Sequence, residues 1–340
     1  MPRSLVTIDL GAIRWNARTL AARVAPAELW AVVKADGYGH GATPASHAAL
    51  DGGASALCVA TVAEGVELRG SVAETRIIVL GPTADEDVRA AREASLEVTA
   101  TDERIPDGLP VHLKLDTGMG RWGLSELVSP PRTVVGFMSH LATSESDRGF
   151  AREQLGRFLE ATAPYAGRAV RHIANSAAAL DFPEARLDAV RCGIALYGID
   201  PYGRDAARFQ LRPALRWESD LEQVKCLGPG ESTGYGRRFV ATAETWIGIV
   251  PVGYADGFRR DLSGTEILVA GEPAPVIGTV SMDAVAVRLS GRLERGTPVT
   301  LVGDGVTLEQ HAQVAGTIAY ELACGIRTSP GRGTRVTRDD

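Results

Sequence analysis

Over its first two thirds the chain repeats one pattern: a short Val/Ile/Leu-rich run, a polar or glycine break, then an Ala/Arg/Glu/Leu stretch with apolar residues at helical spacing. The apolar runs lie at 28–35, 56–61, 76–81, 96–101, 110–116, 133–140, 170–176 and 189–194. Helical stretches fall between most of them, for example at 62–69, 85–94 and 149–161. Strands alternating with helices read as parallel βα units. Most of the eight runs are apolar along their length, as expected of strands covered on both faces, and this favours a closed (β/α)8 barrel. An open doubly wound sheet is the alternative, because strand order is not written in a sequence. From about Arg212 the rhythm changes. Short β-branched segments at 219–227, 245–252, 265–269, 276–281, 284–289 and 299–302 are separated by Gly/Pro turns, and one helix is expected near 308–322. The expected architecture is therefore α/β: an N-terminal (β/α)8 barrel over 1–212, then a mostly-β C-terminal domain over 213–340.

Polar residues fall at one end of the expected strands: Lys34, Thr61, Asp116, His140, Asn175 with Ser176, and Arg191. Any one of them is an ordinary strand terminus. Together, with no matching set at the opposite ends, they mark one barrel mouth as the candidate site, since carboxyl strand ends share a mouth. Composition narrows the partners. The net charge of −6, with no lysine or arginine block, disfavours a broad nucleic-acid or anionic-membrane surface. The first residues contain no apolar leader core and no uninterrupted apolar run reaches membrane-spanning length, so a cytoplasmic protein is expected. The four cysteines (Cys58, Cys192, Cys226, Cys324) are widely spaced without CxxC, which reads as buried free thiols. No metal site is expected: His40 and His47 are seven apart, His311 is remote and HExxH is absent. The glycine clusters do not form GxGxxG after a strand, which argues against a dinucleotide fold.

The run WAVVKADGYGHG over 30–41 carries the strongest local signal. A lysine at the end of an apolar strand is partly desolvated, which favours the neutral amine of a Schiff-base nucleophile. A lone lysine there is more often a rim residue snorkelling to solvent. The run resembles the lysine motif of the alanine racemases, pyridoxal-phosphate enzymes with an N-terminal barrel and a C-terminal β domain. The resemblance extends through KLDTGMGR (114–121), HIANS (172–176), RCGIALYG (191–198), GYG (234–236), VGYADG (252–257) and SMD (281–283), in that order and over nearly the whole chain.

The resemblance implies a role for each matching residue. Lys34 would join pyridoxal 5'-phosphate as an internal aldimine and then act as base on one face of the substrate Cα. Tyr38, Ser176, Gly193, Ile194 and Tyr320 would hold the cofactor phosphate, with Asn175 beside them. Independently, loops after the last barrel strands often hold phosphate, although Asn175 and Ser176 also read as plain helix N-caps. Arg191 would face the pyridine nitrogen. A guanidinium can only donate, so that nitrogen would stay unprotonated and the ring would be a weaker electron sink, suited to removing and returning one proton. Tyr235 would be the second base, reaching the site from the neighbouring subunit of a homodimer with shared active sites. A free phenol, with pKa about 10, is a poor base at neutral pH, so that role needs a stabilising partner, and His140, bridging toward Arg191, is the candidate. Arg121 and the Met282 backbone N–H would bind the substrate carboxylate. Lys114 would be carbamylated and fix Arg121, and Asp283 would support the Met282 turn. Tyr254 and Tyr320 would narrow the entrance to a small amino acid, although Tyr254 also reads as a plug in a glycine-rich turn.

Two departures stand out. Ser281 occupies a position where the family often has cysteine, and the 327–335 tail is only loosely similar to the family's ending. The expected activity is interconversion of L- and D-alanine, supplying D-alanine for peptidoglycan. A serine or broad-spectrum racemase is the nearest alternative, since a pocket rejects one small added group weakly. A decarboxylase would need a stronger electron sink. A non-catalytic vitamin B6 carrier with the same barrel would lack the β domain and a second base.

Overall fold

The computed structural model describes residues 3–127, 130 and 132–339. After a first strand, β1 (Leu5–Asp9), eight strands close into a barrel. They are β2 (Glu28–Val32), β3 (Ala56–Val59), β4 (Arg76–Pro82), β5 (Glu97–Ala100), β6 (Val111–Lys114), β7 (Val134–Met138), β8 (Val170–His172) and β9 (Ala189–Cys192). Every neighbouring pair is parallel, and β9 returns to β2 with Arg191 opposite Trp30. The closed barrel, rather than the open sheet, is the architecture. Strands β3 and β9 are buried along their whole length, which explains their unbroken apolar runs.

The helices follow their sequence signals closely. Leu10–Val24 buries the stripe Ala12, Ile13, Asn16, Ala17, Leu20 and Val24. Val62–Arg69 starts from a capping box in which the Thr61 hydroxyl accepts from Glu64 N–H and the Glu64 carboxylate accepts from Thr61 N–H, an arrangement worth about 1 kcal/mol. Thr61 is thus a helix cap. The 85–94 stretch opens as a 3-10 turn, Asp85–Asp87, before the helix Val88–Glu93.

The chain separates into two compact units. The barrel unit is Gly11–Tyr202 with Ala206–Arg212, and the remaining segments form the β unit. The β unit holds β10 (Leu215–Asp220), β11 (Gln223–Leu227), β12 (Ser232–Thr233), β13 (Phe239–Val240), β14 (Thr245–Val250), β15 (Glu266–Val269), β16 (Glu272–Ile277), β17 (Val285–Arg288), β18 (Pro298–Val302) and β19 (Thr334–Arg338). Nine strands make one sheet in the order β11-β14-β17-β16-β15-β18-β10-β1-β19, and β12 pairs with β13 separately. Strand β10 alternates buried and half-buried positions, the mark of a sheet with one covered face.

Four details depart from the sequence expectation. The opening residues, grouped with the barrel by their position in the chain, belong to the sheet: β1 pairs antiparallel with β10 and parallel with β19. The 219–227 segment is two strands, and the 308–322 helix is two helices, Leu308–Ala315 and Ala319–Gly325. The first of these ends at Gly316 in the left-handed region (φ 64°), a conformation glycine adopts without penalty. Cys58 and Cys192 are buried free thiols as expected, pushed up to about 12 by burial, but Cys226 and Cys324 are exposed. Among the described residues no helix is long and apolar enough to cross a membrane.

Candidate active site

Strand β2 stops at Val32, short of the expected end, because the chain turns sharply. Ala35, Asp36, Gly37 and Tyr38 all take positive φ, between 51° and 62°. For the three non-glycine residues this conformation costs about 1–2 kcal/mol each, so neighbours must hold it. Asp36 Oδ1 accepts from Ala42 N–H at 2.9 Å. Glu64 Oε1 accepts from Ala35 N–H at 2.8 Å, while Oε2 of the same carboxylate accepts from Ala60 N–H at 2.6 Å. Half-buried Lys34 is thereby fixed at the lip of the barrel by a left-handed turn. Glu64 is a residue the sequence reading missed. Its signal was the T-x-x-E capping box, which reads as a helix start and conceals the second job.

The turn delivers Tyr38 against the loop after β9. A Cβ on Gly193 would lie 2.4 Å from the Tyr38 hydroxyl, so glycine is required for this approach. Ser176 Oγ accepts from the N–H groups of Gly193 (3.1 Å) and Ala195 (3.4 Å). Asn175 caps the following helix through Ala178 N–H at 3.0 Å and donates to Ser144 Oγ at 2.7 Å. Tyr38, Ser176, Gly193 and Ile194 are therefore neighbours, and their hydroxyls and backbone N–H groups form a cradle suited to phosphate oxygens.

Arg191 is only 4% exposed and sits in the barrel interior. Nη1 donates to His172 Nδ1 at 2.7 Å and to the His172 carbonyl at 3.1 Å. Nη2 donates to the Ser139 carbonyl at 2.8 Å and lies 3.3 Å from both the Ile173 carbonyl and His140 Nδ1. The Nε–H is not among the donors these bonds use. Among the described residues no carboxylate touches the guanidinium, and burial lowers its pKa to about 10, still charged at neutral pH.

Lys114 ends β6 and is buried. Burial, then the charges of Arg191, Arg121 and Lys34, lower its pKa to about 8. Lys114 Nζ lies 5.3 Å from the centre of the Trp122 ring, and the Arg121 guanidinium 5.1 Å from it, so both cations contact one aromatic ring. The loop bearing Arg121 is shaped by Asp116, whose carboxylate accepts from the N–H groups of Gly118, Met119, Gly120 and Arg121 at 2.8–3.1 Å. Burial alone would raise the Asp116 pKa, but those four bonds hold it below the usual range. Burial and the charges of Arg191, Arg121, Lys114 and Lys34 keep His140 well below its ordinary value, hence neutral. The mouth thus gathers four cationic side chains and a neutral imidazole, a setting for a multiply anionic ligand.

The remaining candidates belong to the β unit. Tyr235, Tyr254 and Met282 are 71%, 42% and 50% exposed. Their turns interlock: Thr279 Oγ1 donates to the Tyr235 carbonyl at 2.9 Å, Tyr254 N–H to the Ser281 carbonyl at 3.1 Å, and Ala255 N–H to the Met282 carbonyl at 3.0 Å. Tyr320 is half-buried on Ala319–Gly325. Asp283 is ion-paired with Arg332, which also lies 3.5 Å from buried Asp256, while Arg3 Nη2 donates to the Asp283 carbonyl at 2.7 Å. The 327–335 tail therefore braces the Met282 turn through Arg332, a role the sequence reading did not assign.

A β/α barrel with an amine just beyond its first strand and a cation-lined mouth, joined in the chain to a β sheet presenting exposed phenols, defines a two-unit barrel-and-sheet protein. Models of the alanine racemase N-terminal and C-terminal domains match residues 8–201 and 214–334. The chain belongs to the alanine racemase family, which are isomerases. It is 39% identical to the alanine racemase of Lactiplantibacillus plantarum, covering 94% of each chain. It is also 39% identical to alanine racemase 1 of Bacillus subtilis, over 94% of this chain and 90% of that one. Among solved structures it is similar to alanine racemase from E. faecalis (TM-score 0.91, 35% identity, 99% of this chain and 98% of that one). The Streptomyces coelicolor enzyme gives the same TM-score and coverage at 36% identity.

Proposed function

We propose that the chain interconverts L- and D-alanine by a two-base mechanism, with pyridoxal 5'-phosphate as cofactor and two shared sites in a homodimer. The observation that carries the reading is the Arg191 guanidinium, charged, buried and free of any contacting carboxylate among the described residues, on the barrel unit of an alanine racemase family member. Bound pyridoxal phosphate supplies an aldehyde for the Lys34 amine and a conjugated ring that stabilises negative charge at the substrate Cα.

The residues fit that group. Tyr38, Ser176 and the Gly193–Ile194 backbone would hold the phosphate oxygens, with Asn175 fixing the Ser176 turn and Tyr320 adding a hydroxyl. With the cofactor bound, Arg191 Nε–H would face the ring nitrogen, and a guanidinium can donate there without giving up its charge. This restrains the electron sink to a reaction in which one proton leaves and one returns. Arg121 and the Met282 N–H hold the substrate carboxylate, a charge-assisted pairing worth about 1.5–3 kcal/mol. Lys34 Nζ takes or gives the proton on one face of Cα. Tyr235 Oη, on a side chain 71% exposed in the single chain, does so on the other face, contributed by the neighbouring subunit. Arg191 donates to His140 Nδ1, so the His140 proton sits on Nε2 and is available to stabilise the Tyr235 phenolate. Lys114, lowered to about 8, has roughly a tenth of its amine neutral at pH 7. That neutral amine attacks carbon dioxide and releases one proton, and the resulting carbamate is an anionic partner for Arg121. Tyr254 and Tyr320 limit the side chain to about methyl size. The reading places the protein in the cytoplasm, supplying D-alanine for peptidoglycan, with no nucleic-acid or membrane partner.

The test is to incubate the cofactor-loaded protein with L-alanine or D-alanine in D2O and follow circular dichroism and Cα deuterium. Loss of chirality with one deuterium gained per turnover is expected from either isomer. A yellow protein that leaves both isomers unchanged would identify a carrier, and faster turnover of serine would reassign the substrate.

A further inference from the structure

A line of polar side chains runs through the barrel interior behind Arg191, and no step above uses it. His172 accepts from Arg191 Nη1 through Nδ1, and its Nε2 lies 2.9 Å from His112 Nδ1. His112 Nε2 lies 2.8 Å from Glu97 Oε2, and Arg76 grips the Glu97 carboxylate through Nε at 2.7 Å and Nη2 at 3.1 Å. These residues come from β9, β8, β6, β5 and β4 in turn. Two further strands make room for them. Trp30 on β2 packs against both imidazoles, with ring centres 4.6 Å from His172 and 5.8 Å from His112. Gly136 on β7 lies opposite His112, and a Cβ there would sit 2.0 Å from His112 Nδ1.

Donor and acceptor rules allow one proton arrangement. A guanidinium only donates, so His172 Nδ1 carries no proton and the ring proton is on Nε2. That N–H donates to His112 Nδ1, which places the His112 proton on Nε2, donating to Glu97. A protonated His112 donating backward would leave His172 with no proton at all, an imidazolate. Burial holds both imidazoles below their ordinary value. Glu97 is held down to about 2: burial would raise it, but the bonds from His112 and Arg76 outweigh that. The line is therefore directional, from a cation at the mouth, through two neutral rings, to an anion braced by a second cation.

We propose that Glu97, His112 and His172 form a positioning relay for Arg191, polarised by the Glu97 carboxylate, which fixes the guanidinium plane and compensates its buried charge while leaving Nε–H for the cofactor. Only the last link, Nε–H toward the ring nitrogen, rests on the function proposed above. The relay explains how a buried guanidinium persists without a contacting carboxylate. A carboxylate beside it would compete with the ring for its donors, whereas one placed two imidazoles away supplies the charge and not the competition.

The test is nitrogen-15 NMR of the histidine rings and the arginine Nε in the cofactor-free protein, repeated with cofactor. His112 and His172 are expected neutral and protonated at Nε2 at neutral pH in both states. Glu97→Gln should shift the Arg191 Nε resonance and, in the loaded enzyme, change the visible absorption of the bound cofactor. It should also lower kcat about tenfold in both directions with KM for alanine within about twofold. Gly136→Ala should give the same signature by steric means alone, without removing a charge. A cationic or Nδ1-protonated ring in the wild type overturns the proposal. So does a Glu97→Gln protein with a lower melting temperature but an unmoved Arg191 resonance and kcat. Correct ring protons in a protein that racemises nothing would refute the function above and leave the relay standing.

Discussion

The barrel mouth and the exposed face of the β unit carry similar chemistry under opposite constraints. In the barrel, Arg191 is 4% exposed and its four Nη protons are directed at carbonyl oxygens and imidazole nitrogens. Lys34 is held by a left-handed turn that Glu64 and Asp36 pin in place. In the β unit, the Tyr235 phenol is 71% exposed and the Met282 N–H is engaged by no acceptor among the described residues. The barrel unit therefore holds its polar groups in fixed geometry. The β unit displays its groups on turns tied together through their backbones, with the working groups left outward.

The largest effect is expected at the barrel amine. Lys34→Ala should lose the visible absorption of the bound cofactor together with all detectable turnover. Tyr235→Phe should slow Cα deuterium exchange from L-alanine far more than from D-alanine, since the phenol serves only one face. Equal damage in both directions would break the contrast between the two halves. Mixing the two inactive variants should restore roughly a quarter of wild-type activity, because half the reassorted dimers hold one intact site. No recovery would place both bases within one chain.

Gly193→Ala tests the cradle: the added Cβ meets the Tyr38 hydroxyl at 2.4 Å, and overpacking of about 1–3 kcal/mol should weaken cofactor binding roughly ten- to a hundredfold. Titration calorimetry of the phosphorylated cofactor reads it. Lys114→Met, in buffer free of carbon dioxide, should raise the melting temperature at pH 7. The native pKa near 8 lies below the ordinary 10.5, so between those values the unfolded chain binds more protons and wild-type stability rises with pH. The advantage of the variant should be greatest below pH 8, about 3 kcal/mol at the upper end, and fade toward pH 10.5. The smallest effect is expected for Ser281→Cys, which leaves the Met282 backbone unchanged and should hold kcat/KM within about twofold.

Much of this was legible in the residue order. The eight apolar runs announced the barrel because parallel strands buried on both faces tolerate almost nothing polar. The helical stretches at 62–69 and 149–161 were read from apolar spacing, and the structure starts them at Thr61 and Asp147, whose side chains satisfy N–H groups that a helix N-terminus leaves open. Strand β19 was not legible: it is largely exposed, pairs through its backbone and carries no apolar pattern. Arg332 was hidden for a related reason, since its partners Asp256 and Asp283 lie far away in sequence.

By itself the sequence determined the alternation of elements, the change of rhythm near Arg212 and the types of reactive group, because all three depend on neighbours a few residues apart. Only the tertiary structure decided that β1 leaves the barrel for the sheet, that Glu64 anchors the Lys34 turn, and that His172, His112 and Glu97 line up behind Arg191 through the gap at Gly136. Each of those outcomes depends on ring closure and strand register, which bring residues tens of positions apart to within a hydrogen bond. No local pattern records which of many possible distant partners a polar side chain will meet.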